Sequence, residues 1–413
     1  MRLLKFLFSG EFIFAAFLLA NVFKSAFPIL PVDANIILFA WSFLIAMKRI
    51  FVNRSIHRLA SIPLLVFGLF LLTTLLSLVH TPSVIYSAEK TLILFSFSLW
   101  SFLGVFLLIN NKKSLEVFLS SFMLIAVATS IYVLVDYFTS TSTGSFSRIG
   151  VDGVNSLGLG RMTALGSMVI ISVYLFNSNK TNFKKSLSVI GLGVLILVLM
   201  LTGARMALLS LAFVIVLFLA LKTFKFTKRD VLLNKGAVKV AFSLIPIPLI
   251  MIPFQDSIQT MLTRLTFLFN SSGHGSYSQR AERFSFAFDV WKNNPILGDG
   301  FGSYAINYTG IDERYYPHNI ILEVLSELGF IGFAIFGALL VLPFFLHNVL
   351  KSNHLQVCVL LMFIYTFLNA NTTGDINDNR MIFTFLALLY LFPLFSDEKV
   401  NELQLEQTKE VIL

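Results

Sequence analysis

The chain has 413 residues, 56% of them hydrophobic and only 13% charged, with a mean hydropathy of +0.82. Those proportions exclude an ordinary soluble domain and indicate a polytopic membrane protein. The formal net charge of +9 does not point to nucleic acid, because no nucleic-acid module is present and much of the excess reads as membrane-topology signal.

About 20 apolar residues cross a bilayer core, which predicts twelve spans near 6–23, 28–47, 59–79, 91–110, 115–137, 156–176, 185–202, 206–222, 237–254, 319–346, 355–370 and 380–396. The first is too long, and followed by too many others, to be a cleaved signal peptide. With the N-terminus in the cytoplasm, twenty of the 31 Lys and Arg fall in inward-facing segments, so both termini are expected inside. The polar segment 254–318 then faces outward. Cys358, the single cysteine, excludes an intramolecular disulfide and reads as a small core residue. No repeat, low-complexity tract or boundary divides the chain. The expected fold class is all-α, one integral membrane domain over 1–413 holding a large, partly helical loop at 254–318.

The first five spans offer Ser, Thr and aromatic residues suited to helix packing. Eleven cations lie where the inside bias disfavours them, and eight of these are arginine. Arginine presents a planar fork that matches phosphate and carboxylate oxygens, so the bias suggests an anionic ligand on the outer face. Arg148 stands at the water boundary before the sixth span, and Arg161 falls about one turn inside it. An arginine at that depth is a functional candidate unless it snorkels or pairs with a carboxylate. In LTGARMALL, Arg205 follows Gly203 between two short apolar runs. A tight break there would aim a guanidinium and a helix N-terminus at one point, and both attract anions; the plain alternative is a charged hairpin tip among headgroups.

In the long loop, Phe284, Ala287, Phe288 and Trp291 recur at helical spacing, and Asn294-Pro295 ends that helix. Arg280 and Arg283 lie three residues apart near its start, close enough to act on one ligand, unless they form a solvated face. Gly298, Gly300 and Gly302 supply a turn whose backbone can approach a ligand or a neighbouring helix. His318 opens the tenth span, where a helix N-terminus favours the neutral imidazole. Asn319 follows it, with Glu323 and Glu327 one and two turns on. A lone histidine at a membrane boundary is otherwise merely interfacial. In the last outward loop, Asp375 and Asp378 lack the further ligands of a calcium site and read as a polar cap contacting a glycan or the long loop.

These residues resemble the O-antigen ligase and polymerase family of bacterial inner-membrane glycan transferases. The likeness rests on LTGARMALL, on Arg280 fifteen residues before Pro295 in the run to NPILGDGFGSY, on PHNIILEVLSELGFIG, and on about twelve spans with one large late loop. It implies a fold like that of the GT-C membrane glycosyltransferases. It also implies transfer of a glycan from a polyprenyl (undecaprenyl) diphosphate to a sugar hydroxyl at the periplasmic face, with inversion and without a metal. Carried over by motif, Arg280 and His318 are the catalytic residues and Arg205 the membrane-face arginine. Ala204 stands where the family has serine, which puts any serine role in doubt. Arg148 and Arg161 fit only loosely, and with Arg283, Asn319 and Glu323 are expected to bind substrate. Implied partners are the lipid-linked donor, a glycan or lipid A core acceptor, membrane lipids and a chain-length regulator.

Chemistry agrees with the resemblance. A diphosphate leaves readily, so the protein must neutralise departing charge and take a proton from the attacking hydroxyl. Neither a metal-ligand cluster nor a nucleotide-binding glycine loop is present, and no cofactor is expected. The mixture of Asp256, Asp289, Asp299, Asp312 and Glu313 with the loop arginines favours a polymerase over a ligase, whose surface for phosphorylated lipid A core should be more basic. A transporter or flippase for lipid-linked sugars is the alternative of another class; the single large late loop and the absence of a repeat between halves speak against it.

Overall fold

The computed structural model of the chain describes residues 2–23, 33–53, 57–139, 154–175, 182–226, 231–233, 259, 276–347 and 353–396. Among them the backbone is helical except for turns and a short antiparallel pair, β1 (Phe224–Phe226) with β2 (Val231–Leu233). The helices are α1 (Arg2–Leu7), α2 (Gly10–Leu19), α3 (Ala34–Asn53), α4 (Ser61–Ser77), α5 (Ile85–Ile93), α6 (Leu99–Leu108), α7 (Lys112–Thr139), α8 (Ser156–Val169), α9 (Asn182–Leu201), α10 (Arg205–Thr223), α11 (Ser276–Asn293), α12 (Ser303–Thr309), α13 (Ile320–Leu346), α14 (His354–Ala370) and α15 (Met381–Tyr390). A single π-helical turn, Leu94–Ser98, joins α5 to α6.

Six stretches, at 34–52, 58–77, 85–108, 112–139, 156–175 and 320–346, are long and apolar enough to cross a membrane, and shorter apolar helices at 10–23, 185–201, 205–220, 354–370 and 381–390 accompany them. The protein is an all-helical, polytopic membrane protein. Each of these helices overlies a span expected from hydropathy, while the expected span 237–254 and most of 254–275 lie outside the described residues. The fourth span begins at Ile85, six residues before the predicted 91, because a remote carboxylate caps it, as described below. The first is interrupted at Ser9, whose hydroxyl accepts the Phe12 amide (3.2 Å) and starts α2 afresh.

The contacts of the chain gather into two compact units. The first holds Met1–Ser42, Glu116–Asn270 and Val357–Tyr365; the second holds Phe43–Leu115, Ser271–Gln356 and Thr366–Leu413. In the first, α8 packs on α9 and α10, and the Phe118 ring meets Phe14 at a tilt and Phe122 edge-on. In the second, α13 packs on α4 and α15, and α6 on α15, around Phe67, Phe70, Phe102, Phe336 and Phe383, with the Phe67 and Phe102 rings 4.4 Å apart. Inside a bilayer such rings gain from close packing rather than from leaving water.

The predicted tenth span is not one continuous helix. At Gly329 the backbone has φ 62 and ψ −163, which breaks α13 into 320–328 and 330–346. In hydrocarbon the exposed amides and carbonyls of a break must find partners, and the loop supplies them. The amides of Asp299 and Gly300 donate to the carbonyls of Ser326 and Glu327 (3.0 and 2.9 Å). The amides of Phe330 and Ile331 donate to the carbonyls of Pro295 and Ile296 (2.8 and 3.2 Å). The two backbones come so close that a Cβ on Gly329 would lie 2.3 Å from the Ile296 oxygen, and one on Gly298 2.5 Å from the Glu327 carbonyl carbon. The glycines of NPILGDGFG thus serve approach to a neighbouring helix.

Candidate functional site

In the second unit the docked turn joins two elements carrying chemistry. α11, with Arg280 and Arg283, packs against α13, and His318-Asn319 leads into α13. Asn319 is the N-cap: its side-chain oxygen accepts the Leu322 amide (3.0 Å), and its amide nitrogen reaches the Asn371 carbonyl (3.4 Å). His318 stands at φ 64, a left-handed conformation that non-glycine residues adopt at a cost. Its ring meets that of Tyr316 edge-on at 4.6 Å. Backbone strain at a histidine preceding a capped helix marks a position whose side-chain direction is held by its surroundings.

Arg280 and Arg283 are both half-buried. The Arg283 guanidinium lies over the Tyr315 ring at 4.5 Å, and its Nε is buried with no hydrogen-bond partner. Arg314 instead faces protein carboxylates, Asp378 at 2.7 Å and Asp375 at 3.1 Å, which raise its already high pKa against burial. Burial, with Asp378 close by, also pushes the Tyr316 hydroxyl up to about 12. The last loop therefore does contact the long one, through ion pairs.

Asp312 works as a cap delivered from a distance. Its carboxylate accepts hydrogen bonds from the Ser83 hydroxyl (2.6 Å) and from the amides of Val84, Ile85 and Tyr86 (2.8, 2.8 and 3.2 Å), which begin α5. Burial opposes the charge, but the four donors outweigh it and hold the group at about 2. The loop is thereby pinned to the start of α5.

One part of this unit was not singled out by sequence reasoning. Lys90 is 1% exposed, and its ammonium lies 2.6 Å from both Glu323 and Glu327. The Phe301 ring centroid is 4.5 Å away. Glu323 also accepts the Ile376 amide (3.3 Å), Asn377 donates to the Lys90 carbonyl (2.9 Å), and Tyr86 donates to Asp375 (3.2 Å). Glu323 Oε2 and Glu327 Oε1 are buried without hydrogen-bond partners. Glu323 is thus paired with an internal cation, and Lys90 answers protein carboxylates. The available signal was pairing: a lysine inside one span and two glutamates four residues apart inside another must find each other in lipid.

The first unit brings two predicted arginines to one place. α10 begins at Arg205, after the left-handed Gly203, and Arg161 lies on the second turn of α8. Gly160 and Ala204, the residues just before them, touch so closely that a Cβ on Gly160 would stand 2.6 Å from that of Ala204. α8 is held there by Asn155, which caps it through the Leu157 and Gly158 amides (3.0 and 3.4 Å) and donates its own amide to the Val22 carbonyl. Both arginines are half-buried, one at the N-terminus of a helix, so the junction can bind an anion. Arg148 lies outside the described residues.

Among the described residues no three His, Cys, Asp or Glu side chains gather as they would to hold a metal. Residues 190–337 match the family model described as O-antigen ligase. That stretch contains Arg205, Arg280, Arg283, His318, Asn319 and Glu323 and leaves out Lys90 and Arg161. No curated protein matches the chain.

Proposed function

We propose that this chain, which carries an O-antigen ligase domain at residues 190–337, is an inverting, metal-independent glycosyltransferase of the bacterial inner membrane. It moves a glycan from undecaprenyl diphosphate to a sugar hydroxyl at the periplasmic face. The observation that carries this reading is the backbone docking of Pro295–Gly300 onto the break in α13, which makes one body of the arginine-bearing α11 and the His318 turn. His318 takes the proton as the acceptor oxygen bonds to the anomeric carbon and the bond to the diphosphate breaks. Arg280, with Arg283, neutralises the departing diphosphate, and Arg205 with Arg161 binds donor phosphate where α10 begins.

The alternation of sides expected of twelve spans is supported by which ends meet within each unit. Asp312 with Val84, Arg314 with Asp375, and Gly160 with Ala204 join segments that alternation assigns to the outer side. Arg49 with Leu108 and Asn353 with Phe395 join segments assigned to the inner side. We take the acceptor to be a second glycan chain, so that the enzyme is a polymerase with a chain-length regulator as partner. Cations that would hold a phosphorylated core are already matched, Arg314 by Asp375 and Asp378 and Lys292 by Asp289.

The test is transfer by purified protein in liposomes supplied with polyprenyl-diphosphate-linked glycan. His318→Asn, which tolerates the left-handed backbone, should keep the wild-type melting temperature yet lose about 10²–10⁴ in rate. A near-wild-type rate would remove His318 from the mechanism. Longer glycan on the carrier marks the polymerase; glycan on lipid A core would mark the ligase; lipid translocation without transfer would mark a transporter.

A further inference from the structure

α11, α12 and the segment that follows them bring four aromatic rings together in the loop. Tyr304 and Tyr308 are four residues apart on one face of α12, and Tyr315 joins them from the following segment. The three tyrosine rings are nearly parallel, with interplanar angles of 10°, 11° and 5° and centroid separations of 5.8, 5.4 and 6.5 Å. A single column would set its outer pair at twice the inner spacing, so the three rings form an offset parallel cluster. Phe286 braces them edge-on, at 5.8 Å from Tyr304 and 5.0 Å from Tyr308.

The cluster is graded in exposure. Tyr304 is fully buried and its hydroxyl donates to the Arg283 carbonyl (3.2 Å), which anchors it to α11. Tyr308 and Tyr315 are half-buried. Polar groups stand at the rim. The Tyr308 hydroxyl donates to the exposed Glu282 carboxylate (3.1 Å), and the Arg283 guanidinium lies over Tyr315 with its Nε lacking a hydrogen-bond partner. A loop core made only to exclude water would not leave two tyrosines half-buried beside a carboxylate and a guanidinium.

From this geometry we propose that the half-buried Tyr308, with Glu282 at its hydroxyl and Arg283 over the neighbouring Tyr315 ring, forms a subsite that binds a pyranose ring of the glycan. One face of a pyranose is apolar C–H and lies flat on aromatic carbon, while its equatorial hydroxyls point outward to donors and acceptors at the rim. Arg283 then also positions the glycan, in addition to its part beside Arg280 at the diphosphate. The proposal rests on the glycan-transfer reading and adds where the sugar sits.

The experiment uses full-length protein in nanodiscs and two probes: undecaprenyl diphosphate bearing no sugar, and oligosaccharide released by mild acid from the source cells' surface polysaccharide. Tyr308→Leu should bind the oligosaccharide about ten- to a hundredfold more weakly, the loss expected for one apolar ring face. It should raise KM in transfer more than it lowers kcat, and it should bind the bare carrier as wild type does. Tyr308→Phe, which keeps the ring, should bind the oligosaccharide nearly as wild type. Equal oligosaccharide binding by Tyr308→Leu, or an equal loss of bare carrier, would overturn the subsite. In wild type, saturating tyrosine ring protons should transfer to sugar C–H protons; absence of that transfer would overturn it even if Tyr308→Leu melts early. A wild-type protein that binds the oligosaccharide but not the bare carrier would count against the transferase reading and leave the sugar subsite standing.

Discussion

Glu323 and Glu327 share the Lys90 ammonium, each 2.6 Å from it. Removing it leaves two carboxylates buried without a cation, and breaking a buried pair from one side costs about 3–5 kcal/mol. Lys90→Met should therefore lower the melting temperature in detergent sharply. Lys90→Met combined with Glu323→Gln and Glu327→Gln should recover much of the loss, because no charge is then left alone. A single variant that melts like wild type would show that the pairing contributes no stability. A second contrast belongs to Arg280: if its guanidinium grips the diphosphate through a planar fork, Arg280→Lys should lose most transfer although the charge is kept. Full complementation of a null strain by Arg280→Lys would leave only a simple electrostatic role.

The break in α13 and the turn docked on it behave as one element. At Gly329 an alanine would meet both a left-handed backbone, costing about 1–3 kcal/mol, and the Ile296 oxygen at 2.3 Å. Gly329→Ala should undock the loop, seen as faster proteolysis near 295–300 and lost transfer, whereas Gly337→Ala, where a Cβ meets nothing within 4 Å, should do neither. The Asp312 cap gives a pH signature. Its folded pKa of about 2 lies below the ordinary 3.8, so its stabilisation is fully present above about 4 and is lost as pH falls through about 2. Amide exchange at Val84, Ile85 and Tyr86 should accelerate over that window, and Asp312→Asn should exchange faster already at neutral pH with little further change.

For the whole molecule, the orientation can be read with single cysteines placed in a Cys358→Ala background, since Cys358 is itself buried. A cysteine at Gly310, exposed in the long loop, should react with a membrane-impermeant thiol reagent applied to intact spheroplasts. One at Asn110 should react only after permeabilisation. The reverse pattern would invert the protein and put the arginines on the cytoplasmic side.

The helices and their apolar faces were readable in advance because a bilayer imposes a length and a composition on every span. The helix from about Ala281, its stop at Asn294-Pro295 and the tight entry to α10 at Gly203 followed from local propensity and turn chemistry. Arg205, Arg280 and His318 stood out because charge near lipid is costly enough to need a reason. Partners distant in sequence were not readable, because nothing local encodes them. Lys90 meets Glu323 and Glu327 across more than two hundred residues of chain, and Asp312 finds α5 at a similar separation. The break at Gly329 was hidden for the same reason. A helix interrupted in hydrocarbon survives only where other backbone completes its hydrogen bonds, and that backbone, 295–300, is brought to it by the tertiary fold.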